Sequence, residues 1–303
     1  MIIGNEPVTK SFSHLMNRYR ETGLVSFPFI LVEGPEHTGK STMIVETIEE
    51  FLGSYQKNDF LWIKDCSDFI DSGKHPLRVT ISSSDKDRII KISKTESYEN
   101  LDTREMISWL SVAPVGKFKV IFLENIERMT VAAQNSFLKT FEEPLPGRII
   151  VASCGNKSAL LETILSRAFV LTTQLLDSDS MEKFARSLGG DFSEEYRDSA
   201  LVFARGRPGY LKRIFDNFET FERVFQIYLE YKKIFNNPRE YTKKNSLLQE
   251  VVKLGQIQEF FYALIYDFSR ENRSDLVAQY LSYAARFDQN VKPDSIVFES
   301  ILG

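Results

Sequence analysis

One octapeptide restricts this chain more than any other stretch: Gly34-Pro35-Glu36-His37-Thr38-Gly39-Lys40-Ser41. It fits the pattern G-x-x-x-x-G-K-[ST], in which backbone N–H groups and a helix N-terminus converge on a phosphate chain. Such a loop needs a buried strand before it and a helix after it, because only that turn aims the amides at one point. Both are legible. Phe29-Ile30-Leu31-Val32 is a continuous apolar run, and over 41–52 the residues Met43, Ile44, Ile48, Phe51 and Leu52 recur near helical spacing. Gly34, Glu36, His37, Thr38, Gly39, Lys40, Ser41 and Thr42 are therefore candidate nucleotide contacts. Lys40 would reach the terminal phosphates and the Ser41 hydroxyl would join the shell of Mg²⁺, while His37 is expected to face solvent. A glycine turn of the same spelling arising by chance is the competing reading, and the strand–loop–helix context counts against it.

The rest of the first 173 residues alternates strands with helices, which predicts a doubly wound α/β domain. A surface helix is expected over 7–22, closed by Gly23, and strands at 60–63, 119–123, 149–152 and 169–171. Helices are expected over 101–112 and 131–142, the latter capped by Thr130, with a shorter one over 160–165. The segment 66–76 reads as irregular, and 78–82 and 88–93 as β-like. Past Gln174 the strand signal stops, and three short helices (179–188, 193–205, 207–215) precede an all-helical stretch over 218–302. Aromatic residues there, such as Phe221, Tyr231, Phe260 and Tyr266, most often mean helix packing, with some share left for a partner.

Composition excludes several classes. A net charge of −4 over 303 residues supplies no global basic field for autonomous nucleic-acid binding. The N-terminus has no basic region followed by an apolar run, and no stretch approaches about 18 apolar residues, so no membrane partner is expected. The two cysteines, Cys66 and Cys154, make neither a disulfide framework nor a four-thiolate zinc site. A cytoplasmic protein is expected.

The apolar run 119–123 ends in Glu124-Asn125. A mononucleotide site takes a metal-orienting carboxylate from such a strand end, and an adjacent acid polarises the attacking water. Glu124 can serve the metal, whereas Asn125 cannot accept a proton at neutral pH and is no general base.

At this point a family resemblance becomes specific. Leu123-Glu124-Asn125-Ile126-Glu127-Arg128-Met129-Thr130, followed by Ala133-Gln134-Asn135-Ser136-Phe137-Leu138-Lys139-Thr140-Phe141-Glu142-Glu143-Pro144, resembles the AAA+ subunits of bacterial sliding-clamp loaders, with their "AQNALLKTLEEP"-like helix. Leu161 to Ala168 is similar to their "LLPTIRSRC" segment, Ile2-Ile3-Gly4-Asn5 to their "IIGQ" start, and Gly73-Lys74-His75-Pro76 to the "G-x-HPD" after their zinc module. The resemblance implies an AAA+ P-loop parallel-sheet domain (1–173), a small helical lid (174–216) and an all-α collar (217–303) for oligomerisation. It also implies ATP and Mg²⁺ as cofactors, with gamma/tau and delta subunits, the sliding clamp and primer–template DNA as partners.

Departures from the hydrolysing gamma/tau type point to the delta-prime, or stator, type. Glu124 and Asn125 replace the usual aspartate and glutamate, Cys154 takes the sensor-1 position, and Gly206-Arg207-Pro208-Gly209 puts Gly209 where motor subunits have a sensor-2 arginine. Arg207, two positions away, is an imperfect substitute. Only Cys66 remains of four clustered cysteines, so no zinc is expected, and His75 reads as a turn residue. The resemblance makes Arg167 an arginine finger acting in trans on ATP held by a neighbour; the alternative is an arginine paired with a surface carboxylate. It gives Gln134 a role in sensing DNA or the neighbour, against a plain polar position on a mostly buried helix. Whether the loop binds nucleotide without turnover or is a structural remnant stays open. The competing functions are an active gamma/tau-type clamp-loader ATPase and an unrelated P-loop ATPase or kinase.

Overall fold

The computed structural model describes residues 4–64, 103–189, 194–287 and 292–302. Cys66, His75, the 73–76 segment and the β-like runs at 78–82 and 88–93 lie outside these residues. The described chain falls into two compact units, Met1–Leu175 and Leu176–Gly303.

The first unit opens with α1 (Glu6–Thr22). Gly23 ends it with φ 72°, a left-handed value open to glycine, and its N–H donates to the Tyr19 carbonyl. Then come β1 (Phe29–Glu33), the glycine loop, α2 (Lys40–Leu52), the one-turn α3 (Gln56–Asp59) and β2 (Phe60–Ile63). Further along are α4 (Thr103–Ser111), β3 (Lys119–Leu123), α5 (Val131–Glu142), β4 (Arg148–Cys154), the short α6 (Glu162–Leu165) and β5 (Phe169–Thr172). Thr130 caps α5 as its sequence position suggests, its Oγ1 accepting the Ala133 N–H at 3.2 Å.

All five strands are parallel, in the order β2-β3-β4-β1-β5. Because successive side chains leave opposite faces, each of β1 to β4 feeds two cores. Phe29 and Leu31 of β1 join Ile121, Leu123, Ile150 and Ala152 under Met106, Phe137 and Phe141 of α4 and α5. Ile30 and Val32 join Val120, Phe122, Ile149 and Val151 under Phe12, Met16, Ile44 and Ile48 of α1 and α2. Burial on both faces explains the continuous apolar runs. β1 is interior to the sheet, so the loop that follows it emerges between β4 and β5.

Charged residues bracket this sheet at its other end. Arg148, buried at the start of β4, donates to the carbonyls of Leu110 at 2.7 Å, Pro146 at 2.7 Å and Val112 at 2.9 Å. The first of these lies in the last turn of α4, where carbonyls lack intrahelical partners. Asp59 is fully buried and accepts the N–H groups of Val115 at 2.8 Å and Gly116 at 2.6 Å.

The second unit is helical throughout its described residues: α7 (Ser178–Leu188), α8 (Glu194–Ala204), α9 (Pro208–Asp216), α10 (Phe218–Ile234), α11 (Tyr241–Lys253), α12 (Ile257–Arg270), α13 (Ser274–Phe287) and α14 (Pro293–Leu302). Residues from the stretches expected as lid and as collar share one core, which runs from Met181, Phe203 and Leu211 to Phe221, Phe260 and Val297. The aromatic residues pack both edge to face, as between Phe203 and Phe221 (5.4 Å, 87°) and Tyr228 and Phe260 (5.7 Å, 83°), and stacked, as between Phe221 and Phe225 (6.1 Å, 13°), while Tyr266 and Phe298 are exposed. Among the described residues, no helix is long and apolar enough to cross a membrane.

Candidate nucleotide site and the Arg167 segment

The loop after β1 is held by close backbone contacts. Gly34 has φ +146°, and a Cβ there would lie 2.5 Å from the Thr173 carbonyl oxygen and closer still to its hydroxyl. Only glycine fits. The Gly34 N–H donates to Cys154 O at 3.1 Å and the Thr173 N–H to Glu33 O at 2.7 Å, so the ends of β4 and β5 clasp the loop. Gly39 has φ +88°, open space where a Cβ would stand, and no side chain capping α2. The first-turn amides of α2 thus keep the orientation that suits an anion. Thr38 Oγ1 donates to Pro35 O at 2.8 Å and lies 3.1 Å from Thr173 Oγ1.

Lys40 is 7% exposed, and its Nζ donates to the carbonyls of Gly34 at 2.6 Å and Pro35 at 2.7 Å. Burial lowers its pKa, and the largest opposing influence is the Glu127 carboxylate. The Ser41 hydroxyl donates to Glu124 Oε1, and the Trp62 indole N–H to Oε2 at 3.0 Å. Burial raises the Glu124 pKa against the pull of these two hydrogen bonds. Ser41 and Glu124 therefore meet, 83 positions apart in sequence, as a metal-associated pair requires.

The next residues leave β3 sharply. Asn125 has φ 56°, and its backbone N–H donates to Ser153 Oγ at 3.3 Å. Glu127, in the 3-10 turn that follows, accepts the Gly155 N–H on Oε1 at 2.7 Å, while its buried Oε2 has no partner. Arg128 reaches back to Glu36 at 3.6 Å. The buried Cys154 thiol is pushed up to about 12 by burial and by Glu127, so it carries no nucleophile.

Arg167 lies between α6 and β5. One guanidinium nitrogen donates to Thr163 O and to Ser166 Oγ at 3.1 Å, and the other pairs with Glu142 Oε1 at the end of α5. Its side chain is 32% exposed. Within the chain, the pairing with a surface carboxylate drawn as an alternative from the sequence is present.

The family described as "DNA polymerase III, delta subunit" matches residues 10–177, more than half of the chain. The chain belongs to this family. It is a clamp-loader AAA+ family member with an α/β AAA+ domain and a helical C-terminus. It is 32% identical over 90 residues to DNA polymerase III subunit delta' of Haemophilus influenzae, covering 30% of this chain and 27% of that protein. It is 24% identical over 170 residues to the probable replication factor C subunit 3 of Dictyostelium discoideum, covering 52% of this chain and 46% of that one. The chain thus spans less than half the length of these relatives. A solved structure of a Thermotoga maritima RuvB variant superposes over 99% of this chain and 87% of its own, with a TM-score of 0.50 and 15% identity, a likeness of fold alone.

In this clamp-loader AAA+ chain the remaining expected contacts are dispersed. Glu36 and Thr42 are exposed, and His37, expected in solvent, is half-buried with φ 61°. Gln134 is 2% exposed and satisfied internally, donating to Met129 O at 3.1 Å and accepting the Leu161 N–H at 3.1 Å. These two hydrogen bonds make it a brace between α5 and the approach to α6. Arg207 lies in the second unit, where its Nε donates to Ala204 O at 3.4 Å and its buried Nη2 has no partner. Glu127 and Trp62 were not marked by the sequence motif. An acid three residues after Glu124 was the available signal, whereas Trp62 reads only as part of an apolar strand. Among the described residues, no group of three or more His, Cys, Asp or Glu could hold a metal.

Proposed function

We propose that this chain is a delta-prime-like stator of the DNA polymerase III clamp loader, which helps load a sliding clamp on primed DNA and supplies Arg167 to a neighbouring ATPase subunit. The observation that carries this reading is at the end of β3: Glu124 stands against Ser41, ready for a metal shell, and the next side chain is the amide of Asn125. A site so built can hold nucleotide yet lacks the adjacent base that hydrolysis needs. The open Gly39 cradle and the uncapped α2 terminus fit a triphosphate, with Lys40 toward its terminal phosphates. Ser41 and Glu124 would hold Mg²⁺, which when bound neutralises phosphate charge.

In this reading residues 174–216 serve as lid and 217–303 as collar, and gamma/tau and delta subunits are the neighbours. Primer–template DNA is met through the assembled inner surface, and its backbone recognition is salt-dependent. The setting is cytoplasmic, without zinc. The Arg167 guanidinium, steadied by Glu142, faces the neighbour's phosphates, where such a finger is worth roughly 10³–10⁵ in rate. The test is ATP turnover by the reconstituted loader with clamp and primed DNA, comparing wild type with Arg167→Ala after confirming equal assembly. Collapse of turnover and loading is expected, and an indistinguishable variant overturns the finger.

One observation favours a second reading, an active ATPase. The unpartnered Oε2 of Glu127 is a carboxylate oxygen beside the loop that could take the role Asn125 cannot. Turnover by the isolated chain that disappears in Glu127→Gln would select that reading.

A further inference from the structure

The second unit holds a cavity of about 530 Å³ between α10, α11, α13 and α14, a size within the range of small-molecule sites (roughly 300–1,000 Å³). Four aromatic side chains, Tyr231, Phe235, Tyr241 and Tyr280, line it together with Asn236, Gln279 and Lys244. Tyr231 and Tyr280 are buried and their hydroxyls lie 3.3 Å apart, which fixes that wall. Among the described residues, no Asp or Glu lines it.

Lys244 is the unusual member. It is 9% exposed, and its Nζ donates one hydrogen bond, to Phe235 O at 2.6 Å. An ammonium has three N–H donors, and burying one without a counter-ion is costly. Burial is the cause that lowers its pKa, with no carboxylate offsetting it. Lys244 Nζ also lies 5.8 Å from the centre of the Phe235 ring, and Arg273 Cζ lies 5.4 Å from the same centre. Arg273 has partners of its own, Asn236 Oδ1 at 3.2 Å and Glu271 at 3.7 Å. The excess charge of the cavity is therefore one cation, held in an aromatic wall.

We infer that this cavity binds a small aromatic carboxylate, its ring against Tyr231, Phe235 and Tyr280 and its charge on Lys244. A single negative charge matches the single unmatched cation, and a flat ring matches walls built from rings. Amide groups of Asn236 and Gln279 can orient the carboxylate without adding charge. The site owes nothing to the glycine loop, which lies in the other unit.

Calorimetric titration of the full chain with 2-naphthoate, using 2-naphthalenemethanol as the neutral control, tests this. One-to-one binding below about 1 mM is expected, with the alcohol at least tenfold weaker. Lys244→Met removes the charge, and Gln279→Glu places a repelling carboxylate on the wall; each should weaken naphthoate at least tenfold. Lys40→Ala should leave it unchanged, which separates this site from the loop. Should Lys244→Met fail to fold, Gln279→Glu decides alone. No binding at millimolar naphthoate, equal binding of the alcohol, or indifference to Gln279→Glu would each show that Lys244 only caps the end of α10.

Discussion

Arg167 and Glu142 form an ion pair across 25 positions of sequence, tying the last residue of α5 to the turn that precedes β5. Both side chains are partly exposed, so the pair orients more than it stabilises. In the isolated chain, Arg167→Ala and Glu142→Ala should each cost no more than about 1 kcal/mol in urea denaturation. In the assembled loader Glu142→Ala should lower turnover less than Arg167→Ala, because it loosens the guanidinium without removing it. A loss above about 3 kcal/mol in the isolated chain would instead make Arg167 a fold residue.

Lys40→Ala should lower affinity for an ATP analogue at least tenfold, read by fluorescent-nucleotide titration. Ser41→Ala and Glu124→Gln should leave measurable binding that no longer responds to Mg²⁺, since those two groups face each other where the metal would sit. Wild-type chain with no affinity at millimolar nucleotide would make the loop a structural remnant.

The pH dependence has a defined sign. Burial raises the Glu124 pKa above the ordinary 4.5, so between those values the folded chain holds a proton the unfolded chain has released. That contribution to stability is complete below the unfolded pKa and is lost as pH rises through the folded one. Metal binding needs the deprotonated form. Mg²⁺-dependent nucleotide affinity should therefore fall on acidification while the pH is still above 4.5, and Glu124→Gln should abolish the dependence. An affinity constant down to pH 4.5 would contradict the assignment of Glu124.

Two glycine substitutions should separate crowding from backbone strain. Gly34→Ala meets the Thr173 backbone and should destabilise by at least about 3 kcal/mol. Gly39→Ala meets open space and pays only for its positive φ, about 1–2 kcal/mol. Thermal unfolding of both variants ranks them, and the reverse order would refute the packing described for Gly34.

Much of the first unit was legible because doubly buried strands leave continuous apolar runs, as at 29–32, 60–63, 119–123 and 149–152, while 169–171 falls on the edge strand β5, where Val170 is exposed. β4 starts one residue earlier, at Arg148, because carbonyls around Arg148 satisfy a guanidinium that hydropathy would place in water. Asp59 escaped notice for the same reason, since its two N–H partners lie 56 and 57 positions away. At the site, the motif marked Lys40 and Ser41, and the strand end marked Glu124. Glu127 did not register, because only the 3-10 turn after Asn125 brings it back to Gly155. Gln134 was marked by resemblance, yet its burial and two internal bonds depend on where Met129 and Leu161 lie in space.

β5 gives these parts a common mechanical frame. The strand begins two residues after Arg167 and ends next to Thr173, whose oxygens crowd Gly34 and meet Thr38. The strand itself is roughly 13 Å of extended chain, at about 3.3 Å per residue. Its hydrogen-bonded register with β1 resists shortening along that line. The strand is a ruler with the glycine loop at one end and an arginine near the other, so any displacement of the loop loads the element that leads to the arginine.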